Sequence, residues 1–341
     1  MSFRYDSLID TSYILHKGFD VEVDCRMSLK VKLEKELENA WSFVKRQNKR
    51  SLENKSLHSA PYVIAVGAGD SYAATLAWEG VEARVRAADP LDALNSGLLG
   101  FGIELNAVMV GISVGGQTKS VVEVISRYRY MGGRVFCITG NPLSPLALLC
   151  GNGELLVYGK TVEGVGGIRQ VVLYAAIAGL RGVIVEEFKP PLEPLNLLKY
   201  SIMVGVGASR GVALFASLKL CEVYGVCNNY STLEELIHSK IYSLRPGSSI
   251  LVFEPPYRDG RFEEIVDELQ DLGYDIVVVK AREGRAWDSV IGQTIWVLES
   301  LVKTLEEKEV AKPYYKSNPL LDKLTNIIYF SEQHRYTQYS R

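Results

Sequence analysis

The sequence is poor in the residues that build metal sites and disulfide frameworks. It has only four histidines among 341 residues, and no metal site is expected. Its five cysteines show no paired spacing, which predicts a reducing compartment and no disulfide scaffold. These cysteines are Cys25, Cys137, Cys150, Cys221 and Cys227.

The sequence also lacks an apolar run of membrane-spanning length and an excess of charge of one sign. The apolar stretch at 170–185 is interrupted by Arg181 and is too short to cross a bilayer. Residues 1–10 carry charge and no apolar core, which argues against a signal peptide. The net charge of −2 gives no electrostatic footprint for nucleic acid or an anionic membrane. We therefore expect a cytoplasmic protein that binds neither.

The composition is that of a globular protein with more than one domain. A length of 341 residues is about twice that of a typical single domain, and 47% hydrophobic residues with 23% charged residues allow a substantial core. Residues 1–58 are polar and predicted to be helical, because apolar residues recur there at three- and four-residue steps. These apolar residues are Leu29, Leu33, Leu37, Trp41 and Val44.

From residue 62 onwards, short apolar runs alternate with helical stretches. Apolar strands separated by helices indicate a parallel sheet that is buried on both faces. Strands are predicted at 62–66, 107–112, 134–139 and 154–158, and helices at 71–84, 117–130 and 166–181. Prolines at 190, 191 and 194 end this alternation, because proline neither continues a helix nor fits a central strand. They mark a domain boundary.

The second half of the chain repeats the first. The segment Val-Gly-Ala-Gly-Asp-Ser at 66–71 returns as Val-Gly-Val-Gly-Ala-Ser at 204–209, the strand at 108–112 has a counterpart at 249–253, and 132–137 matches 273–278. The offset stays close to 140 residues. This repeat predicts two tandem, doubly wound, flavodoxin-like α/β domains. The predicted bounds are 1–58 for the helical segment, 59–190 for the first domain and 191–341 for the second.

Two strand-to-helix turns of the first domain have the composition of anion sites. In the turn at 67–71, Gly67 and Gly69 let the backbone approach a ligand. The turn at 113–118, Ser-Val-Gly-Gly-Gln-Thr, offers two hydroxyls and several backbone donors and has no Walker lysine. A dinucleotide site needs a glycine where Tyr72 stands and an acidic residue after the next strand, and the sequence has neither. A tight turn with Ser113 as helix N-cap is the structural alternative. Two such turns on adjacent strands favour a phosphate ester and no cofactor.

These motifs resemble those of sugar isomerase (SIS) domains. Gly-Asp-Ser-Tyr at 69–72 and Ser-x-Gly-Gly-Gln-Thr at 113–118 are similar to the phosphosugar motifs of that family, the second of which usually reads Ser-x-Ser-Gly-x-Thr. Gly115 departs from this pattern and removes one hydroxyl. The resemblance implies two tandem SIS domains. It also implies that the substrate phosphate is held by Ser71, Ser113, Gly115, Gly116, Gln117 and Thr118.

The second domain supplies candidates for acid–base chemistry. Glu222 lies in a mostly apolar predicted helix, and His238 ends a Glu-Leu-Ile-His segment sixteen residues later. This spacing resembles that of the isomerase domain of glucosamine-6-phosphate synthases and of archaeal phosphoglucose/phosphomannose isomerases. The resemblance implies that Glu222 moves a proton between C1 and C2 and that His238 opens the sugar ring, reaching the site from the other subunit of a homodimer. A solvated Glu222 and a surface or capping His238 are the structural alternatives.

Two further segments resemble parts of the family's sugar pocket. Residues 316–326 are similar to a closing segment that contributes a lysine; the lysine position falls on Asn326, or on Lys323 if a gap is allowed. Lys323 is therefore the catalytic candidate. The loop at 163–167 is similar to the pocket lining. Together with the first turn, it predicts sugar contacts from Gly69, Asp70, Glu163 and Gly166.

These residues, read through the resemblance, predict a metal-independent aldose–ketose isomerase that acts on a hexose or hexosamine 6-phosphate through a cis-enediol. Deamination of glucosamine 6-phosphate uses the same proton transfer and is the close enzymatic alternative. A non-catalytic phosphosugar sensor is the other alternative. The weakened phosphate motif favours a sensor, and the glutamate and histidine at family spacing oppose it.

Overall fold

Two parallel β-sheets with helices packed against them make up the described part of the chain. The computed structural model describes residues 27–151, 153–158, 166–227, 229–317, 323–324 and 327–330. The predicted α/β class is therefore confirmed. Two of the residues discussed above, Glu163 and Asn326, lie outside the described residues, as does the segment 1–26.

The first sheet has five parallel strands in the order β2-β1-β3-β4-β5. All four strands expected in this half are confirmed, whereas β2 was missed because an arginine at 86 interrupts its apolar run. The strands are Val63–Val66 (β1), Val85–Ala88 (β2), Val108–Ile112 (β3), Arg134–Thr139 (β4) and Leu155–Val157 (β5). Asp89 follows β2 directly and caps the next helix, so the expectation that no acidic residue follows the next strand was wrong. The position of Tyr72 still lacks the glycine of a dinucleotide site.

The second sheet has four parallel strands in the order β7-β6-β8-β9. These strands are Ile202–Gly205 (β6), Asn229–Thr232 (β7), Ser249–Phe253 (β8) and Asp275–Val279 (β9). In each sheet the first strand lies between the second and the third, so the sequence repeat returns as equivalent topology. The proline-containing segment 183–196 forms neither helix nor strand and connects the two halves.

The helices occupy the connections between strands and both ends of the described chain. They are Leu29–Leu37 (α1), Ala40–Leu52 (α2), Asp70–Val81 (α3), Pro90–Asn95 (α4), Leu98–Glu104 (α5), Lys119–Tyr130 (α6), Pro145–Leu149 (α7), Gly167–Leu180 (α8), Ser209–Tyr224 (α9), Leu233–His238 (α10), Arg261–Asp271 (α11) and Ala286–Glu307 (α12). No helix in this part of the chain is both long and apolar enough to cross a membrane.

Helices α3 and α9 pack against each other between the two sheets. A Cβ at Gly80 would collide with the backbone of Gly207, and a Cβ at Gly211 would collide with the carbonyl of Ala73. These glycines therefore permit the close approach. Gly80, at the end of α3, lies against the residues that immediately precede α9, whereas Asp70, at the start of α3, contacts Lys219 in the C-terminal half of α9. The two helices therefore run antiparallel.

The expectation of unpaired cysteines was wrong for four of the five. Cys137 of β4 forms a disulfide with Cys150, and Cys221 of α9 forms a disulfide with Cys227. The fold brings the paired Cα atoms to 6.0 Å and 4.5 Å respectively, within the range that a disulfide spans. The spacing of the cysteines in the sequence did not reveal these pairs. The Cys137–Cys150 pair, for example, forms because the chain turns back after β4 and places Cys150 beside Cys137.

Candidate functional site

The turn after β3 forms a compact loop at 113–118 that presents two hydroxyls. The Oγ of Ser113 and the Oγ1 of Thr118 lie 3.1 Å apart, and both residues are buried. Gly116 has a φ of +64°, and a Cβ there would collide with Ser144, so this turn requires glycine. The loop therefore holds its hydroxyls in a defined geometry at the carboxyl end of the sheet.

The turn after β1 lies beside this loop. Strands β1 and β3 are paired neighbours, with Val66 opposite Gly111, so their carboxyl ends meet at one edge of the sheet. Ser71 is buried in the first turn of α3. Gly115, which stands where the SIS motif usually has a serine, is exposed, and no described heavy atom lies within 4 Å of a Cβ placed on it. The loop therefore has room for the side chain it lacks.

A buried lysine joins the two halves at this edge. The Nζ of Lys219 lies 2.7 Å from Asp70 Oδ2 and 2.5 Å from Glu222 Oε2. The lysine side chain is 0% exposed, while those of Asp70 and Glu222 are 18% and 32% exposed. Asp70 begins α3 and the other two residues lie one turn apart on α9, so the antiparallel α3–α9 contact assembles this ion-pair cluster.

Burial, together with the neighbouring charges of the cluster, raises the pKa of Glu222. Burial raises the pKa of Glu222 to about 7; Lys219 opposes the rise and Asp70 adds to it. Burial alone would lower the pKa of Lys219, but Asp70 and then Glu222 outweigh burial and hold that pKa above its usual value. Lys219 therefore stays charged at neutral pH, whereas Glu222 exchanges protons near pH 7.

Two residues frame the cluster. The Nζ of Lys219 lies 5.1 Å from the centre of the Phe215 ring, a cation–π distance. Gly166, with a φ of +72°, lies against the cluster, because a Cβ on it would come within 3.0 Å of Asp70 Oδ2. Gly166 and Asp70, both predicted as pocket residues, are thus brought together, and Gly69 immediately precedes Asp70.

Tyr329 lies at the loop 113–118 and is close enough to the cluster for the cluster's charges to affect its pKa. Tyr329 forms an antiparallel bridge with Thr118, and the N–H of Phe330 donates to Gln117 O at 3.0 Å. Burial raises the pKa of Tyr329, and Glu222 and Asp70 raise it further. The phenol therefore stays protonated at neutral pH and lies within electrostatic reach of both carboxylates. Tyr315 behaves in the same way, since burial and then Glu222 raise its pKa.

The structure does not bring His238 or Lys323 to this cluster. The His238 side chain, at the end of α10, is 73% exposed, and its Nε2 lies 2.9 Å from Glu234 Oε1 on the same helix. Lys323 is exposed. Among the described residues, no hydrogen bond or ion pair joins either side chain to Asp70, Lys219 or Glu222.

Sequence reasoning missed Lys219, Tyr315 and Tyr329. Lys219 had a usable signal in the sequence. It stands three residues before Glu222 on a mostly apolar helix, so the two side chains share one helix face and can form an ion pair there. Tyr329 had no such signal, since its place depends on the return of the chain to the loop at 113–118. Among the described residues, no group of three or more His, Cys, Asp or Glu side chains could hold a metal ion.

Comparison with known proteins finds likeness in structure and none in sequence. No protein-family profile matches the chain, and no curated protein sequence matches it. Among solved structures, a glucosamine-6-phosphate deaminase from Thermotoga maritima is 17% identical with a TM-score of 0.59, over 83% of this chain and 98% of the other. The C-terminal domain of a glucosamine-fructose-6-phosphate aminotransferase from Francisella tularensis is 14% identical with a TM-score of 0.61, over 82% and 98%.

A third solved structure also has a similar fold. A tagatose-6-phosphate ketose/aldose isomerase from Escherichia coli is 13% identical with a TM-score of 0.53, over 83% of this chain and 91% of the other. At these identities the likeness shows a shared fold. The resemblance to SIS-domain proteins that the sequence motifs predicted is therefore confirmed at the level of the fold.

Proposed function

We propose that this chain is a phosphosugar isomerase built from two tandem SIS domains, residues 59–190 and 191–341. It interconverts the aldose and ketose forms of a hexose or hexosamine 6-phosphate. The observation that carries the proposal is the ion-pair cluster of Asp70, Lys219 and Glu222, which lies after β1, beside the hydroxyl loop that follows the neighbouring strand β3. In this proposal, the phosphate site and a base with a pKa near 7 both lie at the carboxyl edge of the first sheet.

The phosphate of the substrate binds at the two turns of the first sheet. The hydroxyls of Ser71, Ser113 and Thr118 donate to its oxygens, together with backbone N–H groups at 115–117. This anchor directs the other end of the open-chain sugar towards Glu222. Because hydroxyls and amides carry no charge, the anchor suits a monoester that must be released after each turnover.

Glu222 is the base of the proposed reaction. Its carboxylate removes a proton from C1 of the ketose or C2 of the aldose, which leaves a cis-enediolate. A proton moves between O1 and O2 through the cis-enediol, and Glu222 returns the carbon-bound proton at the other carbon. A pKa of about 7 suits a group that both accepts and returns a proton near neutral pH. Lys219 stays charged beside it and stabilises the negative charge that moves from Glu222 towards the enediol oxygens.

His238 opens the sugar ring in this proposal, and it does so from the second subunit of a homodimer. Its exposure on α10 is compatible with such a position, because a side chain that serves a neighbouring subunit must project from its own. Lys323 remains the candidate for the lysine of the closing segment. Its segment leads into Tyr329, which lies at the loop.

Deamination of glucosamine 6-phosphate is the second candidate function. The similar structure from Thermotoga maritima is a glucosamine-6-phosphate deaminase, and deamination begins with the same proton transfer at C1 and C2. The two functions differ in the fate of the nitrogen, which an isomerase retains and a deaminase releases as ammonia.

The test is turnover of hexose and hexosamine 6-phosphates in deuterated buffer by wild type and the Glu222→Gln variant. We expect wild type to interconvert one of these sugars and to incorporate deuterium at C1 of the ketose. Glu222→Gln should lower the rate by roughly 10²–10⁴-fold, the usual contribution of a positioned base, with sugar-phosphate affinity nearly unchanged. Glu268→Gln, an exposed carboxylate on α11, is the matched control.

The pH dependence gives an independent reading of the same residue. Only the ionised form of Glu222 acts as base, so kcat/KM of wild type should fall tenfold per pH unit below about 7. Full turnover by Glu222→Gln would remove this residue as the base. Sugar binding without exchange in wild type would indicate a sensor, and ammonia release from glucosamine 6-phosphate would indicate the deaminase.

A further inference from the structure

A second cavity lies at the carboxyl edge of the second sheet. It encloses ≈520 Å³, a volume within the range of small-molecule sites. The turn at 205–207 and the segment after β8 form its walls, and Phe262 lies among the apolar residues that line it. Three arginines and two carboxylates also line the cavity, so its polar rim is net positive. The arginines are Arg210, Arg258 and Arg261.

The position of this cavity repeats that of the first site. Strand β6 lies between β7 and β8, just as β1 lies between β2 and β3. Ligands of open parallel sheets bind outside the carboxyl ends of the strands where the strand order reverses. The cavity is lined by the turn after β6 and the segment after β8, which correspond to the two phosphate turns of the first sheet.

Two of the arginines are held by partners that they can exchange. Arg261 pairs with Asp259, and both side chains are exposed, at 80% and 61%. Arg258 pairs with Glu263 at 3.0 Å and with Glu254 at 2.9 Å. Exposed ion pairs contribute little to stability, so a dianion that offers two oxygens to a guanidinium can replace Asp259. Arg258 is 30% exposed, and a dianion can replace its exposed partners Glu263 and Glu283, the second of which lies 3.8 Å away.

The buried partner of Arg258, Glu254, is not one of the residues that line the cavity, and it does not depend on Arg258 alone. Glu254 also accepts from Lys280 Nζ at 3.0 Å and from the backbone N–H of Ala281 at 2.8 Å. Turning Arg258 towards a ligand therefore leaves Glu254 paired. Arg210 differs, because it donates to Gly207 O and to Glu79 on α3 and so ties the cavity wall to the first half.

We propose that this cavity is a second binding site, and that it takes a small molecule carrying a phosphate group through Arg258 and Arg261. The apolar wall beside Phe262 accommodates the body of an organic phosphate. Among the described residues that line it there is no lysine, and therefore no counterpart of the Lys219–Glu222 pair, so we propose this site for binding alone.

The test is arginine footprinting of the full-length protein with phenylglyoxal, using inorganic phosphate as the first probe and fructose 6-phosphate as the second. Modification of Arg258 and Arg261, read by mass spectrometry, should slow at least fivefold with a saturating probe. Arg245, which is exposed and outside the cavity, is the internal control. Protection at lower concentration by the sugar phosphate identifies an organic ligand, and equal protection by both identifies free phosphate.

A second measurement separates this site from the first. Equilibrium dialysis with labelled phosphate should find two sites on wild type, one on Arg258→Gln/Arg261→Gln and two on Arg245→Gln. Protection of the two arginines should persist in Ser113→Ala/Thr118→Ala, in which the first site is weakened. Unchanged modification of Arg258 and Arg261 with either probe, or equal slowing at Arg245, would overturn the proposal.

Discussion

The carboxyl edges of the two sheets have the same topology and different chemistry. At the first edge, Ser113 and Thr118 keep their hydroxyls on the loop that faces the site. At the second edge, the hydroxyl of Ser209 is used inside the protein, where it bonds Glu254 O at 2.8 Å and Gln293 Oε1 at 2.9 Å. The segment after β8 continues with two prolines in place of a hydroxyl loop.

The two edges also treat their charges in opposite ways. At the first edge, Lys219 is completely buried between two carboxylates. Burial there raises the pKa of Glu222 to about 7. At the second edge no arginine side chain is fully buried: Arg258 is 30% exposed and Arg261 is 80% exposed, so solvent screens their charges in part. Topology thus fixes where a ligand can bind, and the burial of charge decides whether the place can also perform proton transfer.

The largest effect that this comparison predicts is on stability. Lys219→Met leaves two carboxylates without their buried cation, which should lower the free energy of unfolding by about 3–5 kcal/mol. Arg258→Gln at the second edge should cost about 1 kcal/mol or less, because Glu254 keeps its other partners. Urea unfolding of both variants measures the difference.

A second variant checks the cause of that difference. Lys219→Met combined with Asp70→Asn removes one of the two carboxylates that lost the lysine and should recover part of the lost stability. Equal losses in Lys219→Met and Arg258→Gln would contradict the distinction between a buried and a screened edge.

Most of the fold was accessible from the sequence because its signals are local. Each predicted strand was a continuous apolar run, and the repeat at an offset near 140 residues placed the second sheet by analogy with the first. Strand β2 escaped because its four residues include Arg86. The proposed N-terminal helix proved to be α1 and α2, which are separated at Glu38 and Asn39.

The site was only partly accessible, because its decisive contact is distant in sequence. The motifs indicated Ser113, Thr118 and Glu222 separately, but the ion pair between Asp70 and Lys219 spans 149 residues. It depends on the glycines that let α3 and α9 approach, and no local pattern reports such an approach. The roles of His238 and Lys323 remain predictions, since they require contacts beyond those of the described chain.

A smaller effect tests the phosphate anchor of the first edge. Ser113→Ala removes one charge-assisted hydrogen bond, so sugar-phosphate affinity should fall by about 1.5–3 kcal/mol. Protection of Arg258 at the second edge should be unaffected. Isothermal titration measures the affinity, and Ser126→Ala, an exposed serine on α6, serves as control. Unchanged affinity in Ser113→Ala would mean that the phosphate binds elsewhere.

The smallest effect is a gain. Gly115→Ser restores the hydroxyl of the family pattern at a position where an added Cβ meets no described heavy atom within 4 Å. One further hydrogen bond to the phosphate should tighten binding by about 1 kcal/mol, roughly fivefold. Gly97→Ser, at an exposed glycine with equally open surroundings, should leave affinity unchanged. If Gly115→Ser does not bind the sugar phosphate more tightly, residue 115 does not point towards the phosphate. The number of hydroxyls would then be a poor measure of how the two edges differ in phosphate binding.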